Sequence, residues 1–305
     1  MEKIRRSFIV ILFVVVTLGV TPSVGTAQEQ PSDRDKRSSI HQVDGFAYLS
    51  EDKTLGQIRS EAFALAKRQA LEAAQTYMQS KTKVEDGNLT YDLIWSQADG
   101  SVRILEQKDH GVEENSRYHV WIKAEVFYDI APKKHPRADG GEPDPVKALL
   151  KDEAAPLTVK VWTDKKTYVN GEEVVIHLQG NRDFFGVVVD IMANGDIVQL
   201  LPNDHRSNNF FKAGIKYRIP DAQDQYSLAV SPPYGTDRIV VYASEEFMNR
   251  LPTQAIGGGL GVFLGTKTDL SQRARGINIQ AKKASGPNQG AEFYEAQWSF
   301  STVSP

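Results

Sequence analysis

The sequence predicts a two-domain protein in which a small α+β domain is followed by an all-β sandwich. Apolar residues recur at helical spacing over residues 55–79, which is typical of one long amphipathic helix. After this helix, apolar and polar residues alternate with a period of two, as they do in half-buried strands. From residue 157 onward, many short β-prone runs are separated by turn residues such as Asn170-Gly171, and this pattern indicates two packed sheets.

Residues 1–27 have the features of a secretory signal peptide. A basic start is followed by an apolar run of 13 residues, Phe8 to Val20, which is shorter than the roughly 20 residues a membrane-spanning helix needs. Small residues then precede an expected cleavage between Ala27 and Gln28. We therefore expect a periplasmic or secreted protein with no transmembrane helix in its mature form, and an uncleaved N-terminal anchor is the alternative.

Composition excludes several classes of site and partner. The chain has no cysteine, which excludes thiolate metal sites and a cysteine nucleophile. The whole chain has 36 basic and 39 acidic residues, and removing the three basic and one acidic residues of the signal peptide leaves a net charge of about −5. A nucleic-acid partner usually requires a basic face, so this mild acidity argues against one.

The first domain is predicted over residues 43–130. Residues 28–42 are polar and are predicted to form a disordered tether that precedes it. The domain itself should contain a short strand from Val43 to Tyr48, the long helix, and then an antiparallel three-stranded meander with a turn at Asp99-Gly100.

The second domain is predicted over residues 157–305, after a linker over residues 131–156 that is rich in proline, glycine and charge. Its central element is the hairpin from Phe185 to Asn203. Asn194-Gly195 lies between its two β-prone runs and favours a mirror-image turn with two positive φ angles. Other strands are predicted over residues 215–219, 226–230, 238–243, 277–281 and 292–303, and a helical segment over 245–251.

Three segments of the first domain carry a resemblance. Gly45-Phe46-Ala47, the alanine-rich helix over residues 62–74 and the closing strand over residues 118–126 together resemble the N-terminal domain of the flagellar T-ring protein and related envelope proteins. The resemblance implies a location in the cell envelope and a role in protein assembly, and it implies no catalytic activity.

A second resemblance covers most of residues 157–303. Its motifs, in order, are Tyr168-x-x-Gly171-Glu172, Asn194-Gly195, Leu200-Leu201-Pro202-Asn203 and Pro232-x-x-Gly235-Thr236-Asp237. This series resembles a bacterial domain of unknown function with an immunoglobulin-like sandwich, which is attached to many proteins. The resemblance implies an Ig-like fold and an accessory role.

The candidate partner-contact loop follows the central hairpin and contains Asp204, His205, Arg206, Phe210 and Phe211. Loops at the ends of a sandwich commonly carry its binding residues, so we predict that this loop, together with the loop over residues 232–237, contacts a partner. A catalytic triad at His205 would need a marked nucleophile, and the sequence has no G-x-S-x-G elbow. No catalytic residue is predicted.

Metal and cofactor sites are not predicted either. The six histidines lack H-x-x-x-H and H-E-x-x-H spacing. The glycines of residues 257–261 lack the lysine of a phosphate-binding loop and are interpreted as a flexible connection. Asp190, Asn194 and Asp196 are interpreted as hairpin residues without the spacing of a calcium loop.

These observations predict an exported, non-enzymatic binding or assembly module whose partner is an envelope protein or a cell-wall glycan. One alternative is an accessory component of a flagellum or secretion system, which the first resemblance favours. The other is a secreted hydrolase with a non-standard site near His205.

Overall fold

The computed structural model describes residues 34–81, 84–85, 88–89, 91–95, 101–114, 116–132, 145–266, 269–270, 273–274 and 290–305. Three predictions and part of a fourth lie outside the described residues: the signal peptide with its cleavage site at Ala27-Gln28, the Asp99-Gly100 turn, the strand over residues 277–281, and residues 133–144 of the linker.

The first part of the chain has the predicted α+β order, with one long helix between strands. Its elements are β1 (Lys36–Tyr48), α1 (Leu55–Lys81), β2 (Val84–Glu85), β3 (Asn88–Leu89), β4 (Tyr91–Trp95), β5 (Val102–Val112) and β6 (Arg117–Pro132). A short helix, α2 (Pro145–Leu149), lies within the predicted linker.

The second part is almost entirely β, as predicted. Its strands are β7 (Val159–Thr163), β8 (Thr167–Val169), β9 (Ile176–Gly180), β10 (Phe184–Ile191), β11 (Ile197–Leu201), β12 (Phe210–Phe211), β13 (Tyr217–Ile219), β14 (Gly235–Ser244), β15 (Thr253–Gly257), β16 (Leu260–Phe263) and β17 (Gly290–Val303). The predicted helical segment over residues 245–251 is wrong, because these residues form bends and irregular backbone after β14.

Helix α1 begins at a capping box, in which two residues satisfy each other's backbone. The Oε1 atom of Gln57 accepts a hydrogen bond of 2.8 Å from the Thr54 amide, and the Oγ1 atom of Thr54 accepts one of 3.3 Å from the Gln57 amide. The buried side of the helix contains Ile58, Ala62, Ala66, Ala70 and Ala74. These small side chains let the helix lie close against the sheet.

The closest approach of α1 to the sheet occurs at Gly45 of β1. A Cβ atom at this position would lie 2.3 Å from the carbonyl oxygen of Ala62 and 2.6 Å from the Cβ atom of Ala66. Because the nearest atom belongs to the helix backbone, the close contact cannot be relieved by a change of side-chain rotamer. Gly45 is therefore required by the packing of α1 on β1.

We predict that Gly45→Val lowers the free energy of unfolding by about 3 kcal/mol, because overpacking at a buried contact forces the backbone apart. Thermal melting monitored by circular dichroism measures the loss. Gly56→Ala is the control, since its Cβ would reach only the Thr54 Oγ1 atom at 4.0 Å. Equal melting of wild type and Gly45→Val would contradict the packing described here.

The predicted disordered tether over residues 28–42 is wrong from Lys36 onward, because strand β1 begins there. Residues 36–41, expected to be disordered, pair with β17 from Lys36↔Glu295 to His41↔Gly290, and β1 also pairs with β6 along its other edge. Polar side chains of this segment, which suggested a tether, form hydrogen bonds within the fold. The Ser38 hydroxyl, for example, donates a hydrogen bond of 2.6 Å to Glu125. Buried polar groups with partners are compatible with a strand.

One large sheet extends through both parts of the chain. Its main path has the order β15-β16-β11-β10-β14-β17-β1-β6-β4, while β5 pairs with β6, β8 with β17 and β12 with β10. β1 thus joins β6 of the first part to β17 of the second. A second sheet has the order β13-β9-β7 and packs across a shared apolar core that contains residues of both sheets. The second part therefore fits a β-sandwich.

The central hairpin is confirmed, but its turn differs from the predicted type. β10 and β11 pair antiparallel, and the Asp196 carbonyl accepts a hydrogen bond of 2.9 Å from the Met192 amide. Among the described turn residues Gly195 has a positive φ of 92°, whereas Asn194 does not. The Oδ1 atom of Asn194 instead accepts a hydrogen bond of 3.0 Å from the Asp196 amide, which stabilises a longer loop.

Strand β10 is buried on both faces, which explains its nearly continuous apolar run. Val188 faces the core shared with the small sheet, whereas Val187 and Val189 face a second cluster that includes Met248 and Leu251. Within the described residues, no helix is both long enough and apolar enough to cross a membrane.

Candidate functional site

The predicted contact loop is shaped by Asn203, whose side chain is buried. Its Oδ1 atom accepts hydrogen bonds of 2.8 Å from the amides of both His205 and Arg206. An Asn side chain that bonds to amides two and three residues further along the chain stabilises a local turn. The loop is thus held in one conformation by its own backbone contacts.

Most charged groups of this loop are engaged within the protein. Arg206 lies 3.2 Å from a carboxylate oxygen of Asp221 and 3.2 Å from one of Asp224. Asp204 is exposed and forms an ion pair with Arg250. The contact role of Asp204 and Arg206 stays a prediction.

The two phenylalanines at the end of the loop have different environments. Phe211 is 0% exposed, and its ring stacks on that of Phe184 at 5.0 Å within the core between the sheets. Its predicted role in partner contact is wrong, because the pairing of β12 with β10 turns this side chain inward. Phe210 is half-buried beside Phe185, with ring centroids 5.1 Å apart, and its contact role stays a prediction.

His205 holds together two segments that follow the loop in sequence. Its Nε2 atom lies 3.1 Å from the Gly258 carbonyl oxygen, and its ring stacks on Tyr226 at 5.4 Å. The glycines of residues 257–261 therefore do not form a free connection: they make the turn of the β15–β16 hairpin, with positive φ at Gly257, Gly258 and Gly259. His205 fixes the tip of that hairpin.

The outer face of the small sheet brings together residues that the sequence did not single out. Trp162 of β7 lies opposite His177 of β9, and His177 lies opposite Arg218 of β13. In the next row Lys160 lies opposite Gln179 of β9. Side chains at alternate positions of a strand share one face, so these residues form a single surface on the side away from the core. We call this surface the basic face: Lys160, Trp162, His177, Gln179, Lys216 and Arg218.

Aromatic rings at the centre of the basic face are surrounded by cations. The rings of Trp162 and His177 stack with centroids 5.4 Å apart. The Nζ atoms of Lys160 and Lys216 lie 5.7 and 5.1 Å from the Trp162 ring, within the range of cation–π attraction. Within the described residues, no ion pair engages Lys160, Lys216 or Arg218. The face therefore presents three cations outside any ion pair of the described residues, with the carboxylate of Asp164 near His177.

The charge of the face acts on His177. Burial lowers the pKa of the His177 imidazole, the positive charge of Lys216 lowers it further, Asp164 opposes the change, and Arg218 adds a smaller lowering effect. The Nδ1 atom of His177 is buried and has no hydrogen-bond partner in the described structure. Its imidazole is thus predominantly neutral at pH 7, and an anion on the face would favour its protonation.

Sequence reasoning missed the basic face because its residues come from three separated segments. The polar positions of β7 and β9 were visible as alternation, but which cation would lie beside Trp162 depends on strand pairing. A usable signal was the density of basic residues at alternating positions, such as Lys160, Lys216 and Arg218, in a chain whose net charge is negative. Among the described residues, no three His, Asp or Glu side chains form a group that could hold a metal ion.

Comparison with known proteins identifies one domain family. Residues 167–246 match the model of a domain of unknown function, DUF4384. The matched segment extends from β8 to just beyond β14, so it includes β9, β13 and the central hairpin. It agrees with the predicted resemblance to a β-sandwich domain of unknown function. No curated protein and no solved structure matches the chain. The resemblance of residues 43–130 to the flagellar T-ring protein, and an Ig-like topology of the sandwich, stay predictions.

Proposed function

We propose that this protein is an exported, non-enzymatic binding module of the cell envelope that holds an anionic cell-wall glycan on its basic face. The observation that carries the proposal is the cross-strand row of Trp162, His177 and Arg218, flanked by Lys160 and Lys216. A flat aromatic centre suits the apolar face of a sugar ring, and the surrounding cations suit its carboxylates.

Charge distribution favours this partner. The whole chain has a formal net charge of −3, so a polyanion is repelled by most of the protein and attracted where cations outside ion pairs cluster. Three of the six residues of the basic face are Lys or Arg, and none is acidic. Export directed by the signal peptide predicted from residues 1–27 would bring the protein to the compartment where cell-wall glycan occurs.

The hydrolase alternative has less support from the neighbourhood of His205. The ring of His205 contacts a backbone carbonyl and Tyr226, while the adjacent Asp204 carboxylate pairs with Arg250. A general base needs a nucleophile within hydrogen-bond reach and a group that orients it. The contacts that His205 makes serve the structure of the loop, and we propose that the protein is not an enzyme.

A second candidate function is assembly with another envelope protein, such as a flagellar or secretion-system component. The observation that favours it is the exposure of Tyr48, Leu49 and Leu55, at 73%, 39% and 56%, around the connection between β1 and α1. Exposed apolar residues that lie together commonly mark a protein interface. Co-purification with basal-body rings, lost on Tyr48→Ser and Leu55→Ser together, would support this role.

The glycan proposal is tested by sedimenting the mature protein with purified, insoluble peptidoglycan. Replacing Lys160, Lys216 and Arg218 by glutamine should weaken binding by at least about tenfold, because charged contacts of this kind contribute about 1 kcal/mol or more each. Binding by the wild type should also weaken as salt is raised.

The matched control replaces Lys67, Lys147 and Lys151 by glutamine. These lysines are exposed and lie away from the basic face, and the change in net charge is the same. The control should bind as the wild type does. If both triple variants bind equally, or if DNA competes as well as glycan fragments do, the proposal is incorrect.

A further inference from the structure

A cavity of about 310 Å³ lies between the two sheets of the sandwich, at the end where the central hairpin turns. Its walls come from β9, β10, β11, β14, β16 and β17, and from the segment 227–231. They are mostly apolar, with Ile176, Val198, Leu200, Ile239 and Phe300 among them. A volume of this size is at the lower end of the range for small-molecule pockets, roughly 300–1,000 Å³.

Two carboxyl groups lie in this apolar cavity. Asp190 of β10 and Asp237 of β14 are on neighbouring strands and point to the same side of the sheet. They are the titratable residues among the described residues that line the cavity. An acidic pair in apolar surroundings is costly to ionise, because burial disfavours the charged form and each negative charge opposes the other.

The two carboxyl groups differ in how well they are satisfied. The Oδ1 atom of Asp237 accepts a hydrogen bond of 2.8 Å from the Ala193 amide, which ties it to the hairpin turn. The Oδ1 atom of Asp190 is buried and has no hydrogen-bond partner in the described structure. A buried polar atom without a partner costs free energy, and it is a place where a ligand could supply the missing donor.

The opening of the cavity is bordered by the segments that His205 holds together. Gly258 at the tip of the β15–β16 hairpin lines the cavity on one side, and Ser227 lines it on the other. His205 contacts Gly258 directly and stacks on Tyr226, the neighbour of Ser227. Ile256 and Ser227 are exposed, so the cavity communicates with solvent between these segments.

We propose that this cavity is a binding site for a small molecule with an apolar body and one protonated amine, whose ammonium group pairs with the Asp190 carboxylate. The apolar walls would cover the body of the ligand, and the ammonium would donate to Oδ1 of Asp190. Phe300 in the wall adds an aromatic ring that can attract a cation. The site goes beyond the proposed glycan binding and lies on the opposite side of β9 from the basic face.

Charge decides between ligand classes. A carboxylate ligand would be repelled by Asp190 and Asp237, and it would place a third acidic group in the same apolar space. A neutral alcohol could donate one hydrogen bond to Asp190 but could not offset an ionised carboxylate. A buried charge becomes favourable when it is paired and hydrogen-bonded, which an ammonium ion achieves.

Binding should depend on pH in a definite direction. In the empty cavity, burial raises the pKa of Asp190 to about 8, and the nearby charge of Asp237 also raises it. Because the ammonium pairs with the ionised form, one proton leaves the protein for each amine bound below that pH. Affinity should therefore increase about tenfold per pH unit from about pH 6 towards pH 8, and then level off.

The experiment uses isothermal titration calorimetry on the mature protein with hexylamine, 1-hexanol and hexanoate, which share one apolar chain. At pH 8, hexylamine should bind at least about tenfold more tightly than hexanol, and hexanoate should not bind. Near pH 7 the heat of amine binding should vary with the buffer's ionisation enthalpy, in proportion to about one proton released.

Asp190→Asn should reduce hexylamine affinity at least about tenfold and remove its pH dependence, while hexanol binding stays unchanged. Asp196→Asn is the matched control, since Asp196 is an exposed carboxylate on the adjacent turn. Circular dichroism melts check that both variants fold. Equal affinity for amine and alcohol, or unchanged amine binding in Asp190→Asn, would overturn the proposal, as would a failure of hexylamine to bind.

Discussion

Replacing Arg182 by alanine should lower the free energy of unfolding by about 3–5 kcal/mol, because it leaves a buried carboxylate without its cation. Arg182 Nη1 lies 3.1 Å from an oxygen of Glu292, which is fully buried, and 3.0 Å from an oxygen of Glu245. Denaturant unfolding at about pH 7 measures the loss. It should shrink at lower pH, since the uncompensated Glu292 can then take up a proton.

Glu292 connects the parts of the chain that surround it. Its Oε1 atom accepts hydrogen bonds of 2.9 Å from the Tyr128 hydroxyl of β6 and 2.6 Å from the Leu157 amide that precedes β7. Arg182 also donates to the carbonyl oxygen of Glu153, 3.0 Å away. Burial raises the pKa of Glu292, while the positive charge of Arg182 opposes that increase. Removing Arg182 therefore leaves the Glu292 carboxylate without its cation, at a point where this carboxylate bonds both to the first part of the chain and to the sandwich.

Two variants make this test specific. Combining Arg182→Ala with Glu292→Gln should recover about 1 kcal/mol or more of the loss, because the remaining buried group is then neutral. Arg68→Ala is the surface control: its ion pair with Glu72 is exposed, and such pairs contribute at most about 1 kcal/mol. A loss in Arg182→Ala no larger than that in Arg68→Ala would show that the buried cluster does not stabilise the fold.

Asp190→Asn should make the protein more stable above about pH 4, with a gain that grows to about 3–5 kcal/mol at pH 8. The folded protein holds the Asp190 proton up to about pH 8, because burial raises its pKa, whereas the unfolded chain releases it near the ordinary aspartate pKa of 3.8. Between these values the folded state binds more protons than the unfolded state. Wild-type stability therefore decreases as pH rises through this range, and a neutral asparagine removes that contribution.

The measurement is denaturant unfolding of both proteins at about pH 5 and pH 8. The variant should be ahead by only about 1–2 kcal/mol at the lower pH, and its lead should grow to about 3–5 kcal/mol at the higher pH. Asp196→Asn should show no such gain, since its carboxylate is exposed. A constant difference between wild type and Asp190→Asn across this range would mean that Asp190 is not a buried acid.

Local sequence patterns were sufficient to predict the long helix and the central hairpin. The spacing of Ile58, Ala62 and Ala66 indicated part of the buried side of α1, and Asn194-Gly195 marked the turn between β10 and β11. The pairing of β1 with β17 was not predictable in this way. It joins the two ends of the chain, and Ser38 and His41 belong in a strand only because distant residues supply their partners.

The candidate sites were less predictable, for two different reasons. The basic face depends on the register of β7, β9 and β13, and a shift of one residue would turn Trp162 and Lys160 towards the core. Asp190, in contrast, had a local signal. It occupies an inward position between Val188 and Met192, where alternation calls for an apolar residue. An ionisable residue at such an inward position indicates either a functional role or a free-energy cost of burial. It does not indicate a hairpin residue exposed to solvent.

The most direct test of the proposed function is an NMR titration of the histidine ring protons, with and without soluble, carboxylate-bearing cell-wall glycan fragments. Lys216 and Arg218 lower the pKa of His177, so an anion bound on the basic face should raise it. We expect the pKa of His177 to rise when glycan is added, while the ring-proton chemical shifts of His205 at constant pH stay unchanged. A change in the chemical shifts of His205 with the pKa of His177 unchanged would contradict glycan binding on the basic face. It would indicate instead that the glycan contacts the loop that contains His205.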